Sequence, residues 1–95
     1  MPVFVFRFGY WSPDDREANE AGIDFESNEW VVIDAPDEAA ALAWGCVVAE
    51  RFVWQTYGMS WQAKNFAHWV EPLACCPWAA ARPAVAVGEF PDLTP

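Results

Sequence analysis

Basic residues are scarce in this chain. Five Lys and Arg stand against fourteen Asp and Glu, for a formal net charge of −9. Proteins that displace counterions from phosphate backbones need a basic stripe, and none is present, which disfavours direct nucleic-acid binding. Attraction to anionic membrane surfaces is disfavoured for the same reason. No apolar run approaches the ~18–20 residues that span a bilayer. The opening MPVFVFRFGYW lacks a basic stretch followed by an apolar one, so no secretory leader is expected. Cysteine is rare and odd in number, at Cys46, Cys75 and Cys76. That pattern does not fit a spaced disulfide framework and predicts a reduced, cytoplasmic protein.

Other absences limit the chemistry. His68 is the sole histidine, so any imidazole acid–base step must use it. Cys75 and Cys76 are adjacent and match no C-x(2–4)-C spacing, and no fourth ligand accompanies them with His68, so no metal is expected. The acids Asp14, Asp15, Glu17 and Glu20 match no EF-hand loop. The five glycines are isolated, so no phosphate-cradling loop exists. Cys46 falls inside a helical pattern, without the base and orienting group that a nucleophilic thiolate requires. No catalytic residue and no cofactor is therefore assigned.

Large apolar side chains are abundant instead: seven Trp and seven Phe among 95 residues. The length fits a single domain with a modest core. The expected division is a domain over 1–90 and a tail over 91–95. So much Trp and Phe exceeds what a small core hides, so part should lie at an interface or line a groove.

The pattern along the chain predicts an α+β fold. PVFVFRF, residues 2–8, alternates as a strand, with Phe4, Phe6 and Phe8 on one face and Val3, Val5 and Arg7 on the other. SPDDREANEAG, residues 12–22, reads as either a short helix or an ordered acidic loop. Its Ser12 cap, Pro13 and acidic first turn are helix punctuation. Residues 28–36, NEWVVIDAP, form a second strand, which 23–26 extends or pairs with. Residues 37–57 form one long helix ended by Gly58. Residues 60–70 read as strand in preference to helix, and as a parallel neighbour reached by crossover from the second strand. The segment after Pro72 is Pro-rich, with a possible short edge strand at 84–90. The expected architecture is a small antiparallel or mixed sheet of three or four strands, with the long helix packed on one face. The junction WVVIDAPDEAAALAW resembles strand-to-helix joints of ferredoxin-like and related two-layer α/β-sandwich domains; it specifies no family.

On a helical wheel, Leu42, Gly45, Cys46, Ala49, Phe52 and Val53 face the core, opposite Glu50, Arg51 and Gln55. Trp44, Val47, Val48 and Trp54 fall among those polar residues. With Arg51 they form a candidate interaction face of the size that marks binding or subunit surfaces. Three uses of it are open: cover by the Pro-rich segment through Leu73 and Trp78, self-association, or a protein partner. Asp14, Asp15, Glu17 and Glu20 form a candidate acidic face, within a stretch that also holds Asp24. Its bland reading is a solvated edge. The preferred function is a small acidic, non-catalytic interaction module, with the general character of inhibitor or immunity proteins or of an assembly subunit. The alternative is a small dimeric enzyme or small-molecule binder with an aromatic cleft lined by Arg7, Trp61, His68 and Trp69.

Overall fold

The alternation in the first strand makes a sheet with two unlike faces, and the rest of the molecule is arranged around that difference. The computed structural model describes residues 2–23 and 25–93. In chain order the elements are β1 (Val3–Tyr10), α1 (Pro13–Glu20), β2 (Ser27–Asp34), α2 (Glu38–Tyr57), β3 (His68–Pro72), two 3-10 turns (Leu73–Cys75 and Pro77–Ala81) and β4 (Val85–Ala86). The strands lie in the order β3-β1-β2-β4. β1 is antiparallel to β2 and β3, and β4 is parallel to β2. The sheet is mixed, α2 packs on one face, and the fold is an α+β two-layer sandwich. The crossover through α2 does not deliver a neighbour of β2, as the sequence suggested. β3 lands on the far side of β1, so β2 and β3 run parallel with β1 between them.

The short acidic segment is a helix because both ends of its first turn are satisfied. Ser12 Oγ accepts from Asp15 N–H at 3.2 Å, and Asp15 Oδ2 accepts from Ser12 N–H at 3.0 Å. Asp15 also accepts from the Ser27 hydroxyl, tying α1 to the start of β2. It is only 4% exposed. Asp15 is thus a buried clamp and not part of a solvated acidic face. Burial alone would raise its carboxyl; the hydrogen bonds from Ser27 and Ser12 outweigh that and hold it below the usual range. Asp24, named in the acidic stretch and in the possible extension over 23–26, lies outside the described residues.

Asp37 caps α2 by accepting from Ala40 N–H, and Gly58 ends it at φ +68°. The buried face holds Ala41, Gly45, Val48, Ala49, Phe52 and Val53. It is rotated from the expected one: Ala41 and Val48 are inside, while Leu42 is 38% exposed and Cys46 half-buried. The reason lies on β1. The Phe6 ring occupies the space where Gly45 would carry a Cβ. The small residues Ala41, Gly45 and Ala49, four apart, must therefore face the sheet.

Residues 60–67 are not a strand; β3 starts only at His68. Trp61 explains the shortening. Its ring is buried edge-on against Phe6 and Phe8, and its indole N–H donates to the Gly9 carbonyl at 2.8 Å. The main core lies between sheet and α2 and includes Phe6, Phe8, Ile33, Phe52, Val53 and Leu93. A second, small cluster of Val5, Val32, Cys76 and Ala79 sits under the 3-10 turns on the opposite face. Among the described residues no helix is long and apolar enough to cross a membrane.

Candidate functional site

The face of the sheet opposite α2 is only partly covered. The 3-10 turns shield Val5 and Val32, and Arg7 lies beyond them. Register sets what surrounds Arg7: Trp30 of β2 and Trp69 of β3 are its direct cross-strand partners. Trp78, from the second turn, lies over the row. The Arg7 guanidinium sits 5.0 Å from the Trp69 ring and 5.2 Å from the Trp78 ring. Trp78 meets Trp30 edge-on at 5.2 Å. The row continues to Arg82, whose guanidinium lies 3.6 Å over Trp30. Arg82 also donates to the Trp30 carbonyl and pairs with Glu29.

This is a continuous ladder of three indoles and two guanidinium groups. Trp69 is 40% exposed and Trp78 49%. A guanidinium stacks on an indole face while keeping its edge hydrated, so Trp69 and Trp78 stay open to solvent, whereas Trp30, beneath Arg82, packs on the Val5 and Val32 cluster. Glu71 closes one end. It accepts from the Trp69 indole at 3.2 Å and from the Cys76 thiol at 3.3 Å, and it pairs with Arg7 at 3.7 Å. These donors, the Cys76 thiol foremost, hold its carboxyl below the usual range. Burial, with the facing carboxylate, pushes the Cys76 thiol up. Cys76 therefore lacks thiolate character and serves as a packed donor.

The other residues singled out from the sequence separate. On α2, Val48 is core. Trp44 donates its indole N–H to the Glu89 carbonyl at 2.8 Å and packs on Phe90 at 4.9 Å; Arg51 lies 4.0 Å over the same ring. Part of that face is thus covered by the C-terminal segment, through Glu89 and Phe90. Leu73 and Trp78, the expected cover, lie on the far side of the sheet. Val47 and Trp54 stay exposed. Asp14, Glu17 and Glu20 are exposed on α1, with Glu20 paired to Arg16.

The four residues of the suggested cleft do not share one. Arg7 and Trp69 are on the open face; Trp61 and His68 are on the α2 side. The His68 ring packs against Trp61 at 5.1 Å and Phe6 at 6.0 Å, and its Nδ1–H donates to the Phe66 carbonyl at 2.8 Å. A carbonyl can only accept, so the bond fixes the tautomer; it supplies no carboxylate to orient a base. Among the described residues no group of three or more His, Cys, Asp or Glu side chains is placed to hold a metal.

Sequence reasoning missed Trp30 and Arg82 and set Trp78 over α2 instead of over Arg7 and Trp30. The signal for Trp30 was present: Arg7 breaks the apolar pattern of its face, and Trp30 shares a face with Val32. The missing datum was the register that sets Trp30 opposite Arg7. Comparison of the chain with protein-family models, with curated proteins and with solved structures returns no match.

Proposed function

We propose that the protein is a non-catalytic interaction module that binds a protein partner through the open face of its sheet. The observation that carries this reading is the Arg7 guanidinium held between the half-exposed rings of Trp69 and Trp78. Trp and Arg are the side chains that most often dominate binding energy at interfaces. Here they come preorganised by register and stacking, so little rotamer freedom is left to lose on association. The exposed acids Asp14, Glu17 and Glu20 support a role in long-range steering of a basic partner. The face first favoured, on α2, is reduced in this reading to Val47 and Trp54.

The test is quantitative affinity capture from cell extract with three baits: the wild type, Trp69→Ala/Trp78→Ala, and Val47→Ser/Trp54→Ser. Circular dichroism checks that each bait is folded. The expected result is a defined partner, or the protein itself, retained by the wild type and the helix variant and lost by the sheet variant. Retention by the sheet variant with loss by the helix variant would move the binding face to α2. Retention by all three would overturn the reading.

A further inference from the structure

The outer edge of β3 is a strand edge with its hydrogen-bonding groups unused. β1 gives the phase of the ladder. Just before it, the Pro2 carbonyl accepts from Ala35 N–H on the β2 side, and within it the Gly9 N–H donates to the Ala67 carbonyl on the β3 side. In an antiparallel ladder such pairs alternate, so even-numbered residues of β1 bond β2 and odd-numbered ones bond β3. Arg7 and Val5 therefore bond Trp69 and Glu71, their partners in register. The backbone groups of His68 and Val70 point the other way. β3 is terminal in the sheet, and among the described residues no hydrogen bond reaches those groups.

Beside this edge runs an open trough between β3 and the first turns of α2. It is lined by Glu38, Ala39, Leu42, His68, Trp69 and Val70. The two sides of the strand differ. Toward α2 stand Ala39, Leu42 and Val70, with Glu38 and His68 beside them, and Leu42 is 38% exposed. Toward the open face stand Trp69, partly exposed, and the Glu71 carboxylate. No Lys or Arg lines the trough, and Glu38 stands in it.

We infer that this edge takes an extended segment of a basic partner, added as a fifth strand. Main-chain bonds to His68 and Val70 supply the docking. Alternate apolar side chains enter the trough over Leu42 and Ala39. The intervening Lys or Arg side chains meet Trp69, Glu71, which Arg7 also pairs with from β1, and the field of a chain with net charge −9. A second copy fits worse, because pairing β3 with itself brings together two chains of the same large negative charge and two copies of Glu38. The inference rests on different observations from the proposal for the sheet face, and the two surfaces share Trp69 and Glu71.

The probe is the blocked heptapeptide Lys-Val-Lys-Val-Lys-Val-Lys, titrated into nitrogen-15-labelled protein and followed by amide chemical shifts and fluorescence anisotropy. Shifts are expected at His68, Val70, Ala39 and Leu42, with the analogue carrying Glu for Lys binding at least about tenfold more weakly. Val70→Pro removes one outward N–H and no bond to β1, a place where strands tolerate proline. It should weaken binding by about tenfold or more. Leu42→Lys, at an exposed site, should do the same and serves if the proline variant does not fold. Val47→Ser/Trp54→Ser should bind as the wild type. No binding up to millimolar peptide would overturn the inference, as would equal binding of the acidic peptide or undiminished binding by both edge variants. Shifts at the same amides that grow with protein concentration alone would assign the edge to a second copy and also overturn it.

Discussion

The two faces of this sheet are built on the same strands and use the same class of side chain to opposite ends. Toward α2, Phe6 and Phe8 are essentially inaccessible and interlock with Trp61 and Phe52 in edge-to-face contacts. On the other face, Trp69 and Trp78 are half open and alternate with arginine. What differs is the partner. A phenyl ring opposite a helix that offers Gly45 and Ala49 finds a matching hollow and becomes core. An indole beside a guanidinium finds a flat charged neighbour that must keep contact with water, and stays at the surface. Aromatic content therefore predicts burial only once the facing element is known.

The sharpest break in that comparison is Phe6→Ala. Removing a fully buried phenyl costs about 3–5 kcal/mol. A domain of this size has roughly 5–14 kcal/mol of stability in all, so urea unfolding should show a large fall in midpoint. A loss no greater than that of Trp78→Ala would mean that the two faces are not energetically distinct. Gly45→Ala is next. Alanine gains ~1 kcal/mol of helix propensity, but its Cβ would fall within the space of the Phe6 ring. Overpacking costs about 1–3 kcal/mol. The expected net change is destabilising, and Phe6→Leu in the same chain should recover part of it. A stabilised Gly45→Ala variant would show that the helix does not seat on Phe6.

Much of the α2 face was legible in the sequence. The Phe4, Phe6 and Phe8 stripe, the long helix and its Gly58 stop are local patterns. The exact helix face was not. A wheel set by Glu50, Arg51 and Gln55 puts Leu42 and Cys46 inside, whereas close approach to Phe6 selects the small residues, turning Ala41 and Val48 inward and Leu42 out. Residues 60–67 misled because their alternating pattern includes Trp61, which is buried by a long-range bond to the Gly9 carbonyl. Of the open face, Arg7 and Trp69 were named, but with Trp61 and His68, from which the sheet separates them. Trp78 and Arg82 reach the site from a Pro-rich segment without periodicity, and no local signal places them there.

A pH-dependent contrast sharpens the comparison further. Tyr10, at the end of the Phe stripe, is pushed up to about 12 by burial and by the neighbouring Tyr57. In the unfolded chain the phenol ionises near 10. The unfolded state thus loses its proton first, and stability present below pH ~10 is lost as the pH rises toward about 12. Tyr10→Phe should lack this alkaline fall, seen as urea midpoints at neutral pH and at about pH 11. Equal alkaline slopes in both proteins would place the Tyr10 hydroxyl in water.

The smallest expected effect on stability is the most informative about the open face. Trp78→Ala removes an indole that is half exposed already, along with contacts to Arg7 and Trp30. A cation–π contact at such a site is worth about 0.5–1 kcal/mol. A double-mutant cycle of Arg7→Ala and Trp78→Ala should return a coupling in that range, measured by urea unfolding. If the coupling is of that size and the single substitutions are mild, the ladder is an ordered surface whose removal leaves the fold intact. Its loss would then register in binding and not in folding. If Trp78→Ala instead destabilises the protein as strongly as Phe6→Ala, the indoles hold the 3-10 turns on the sheet. The open face would then be a second core, and the binding reading would lose its site.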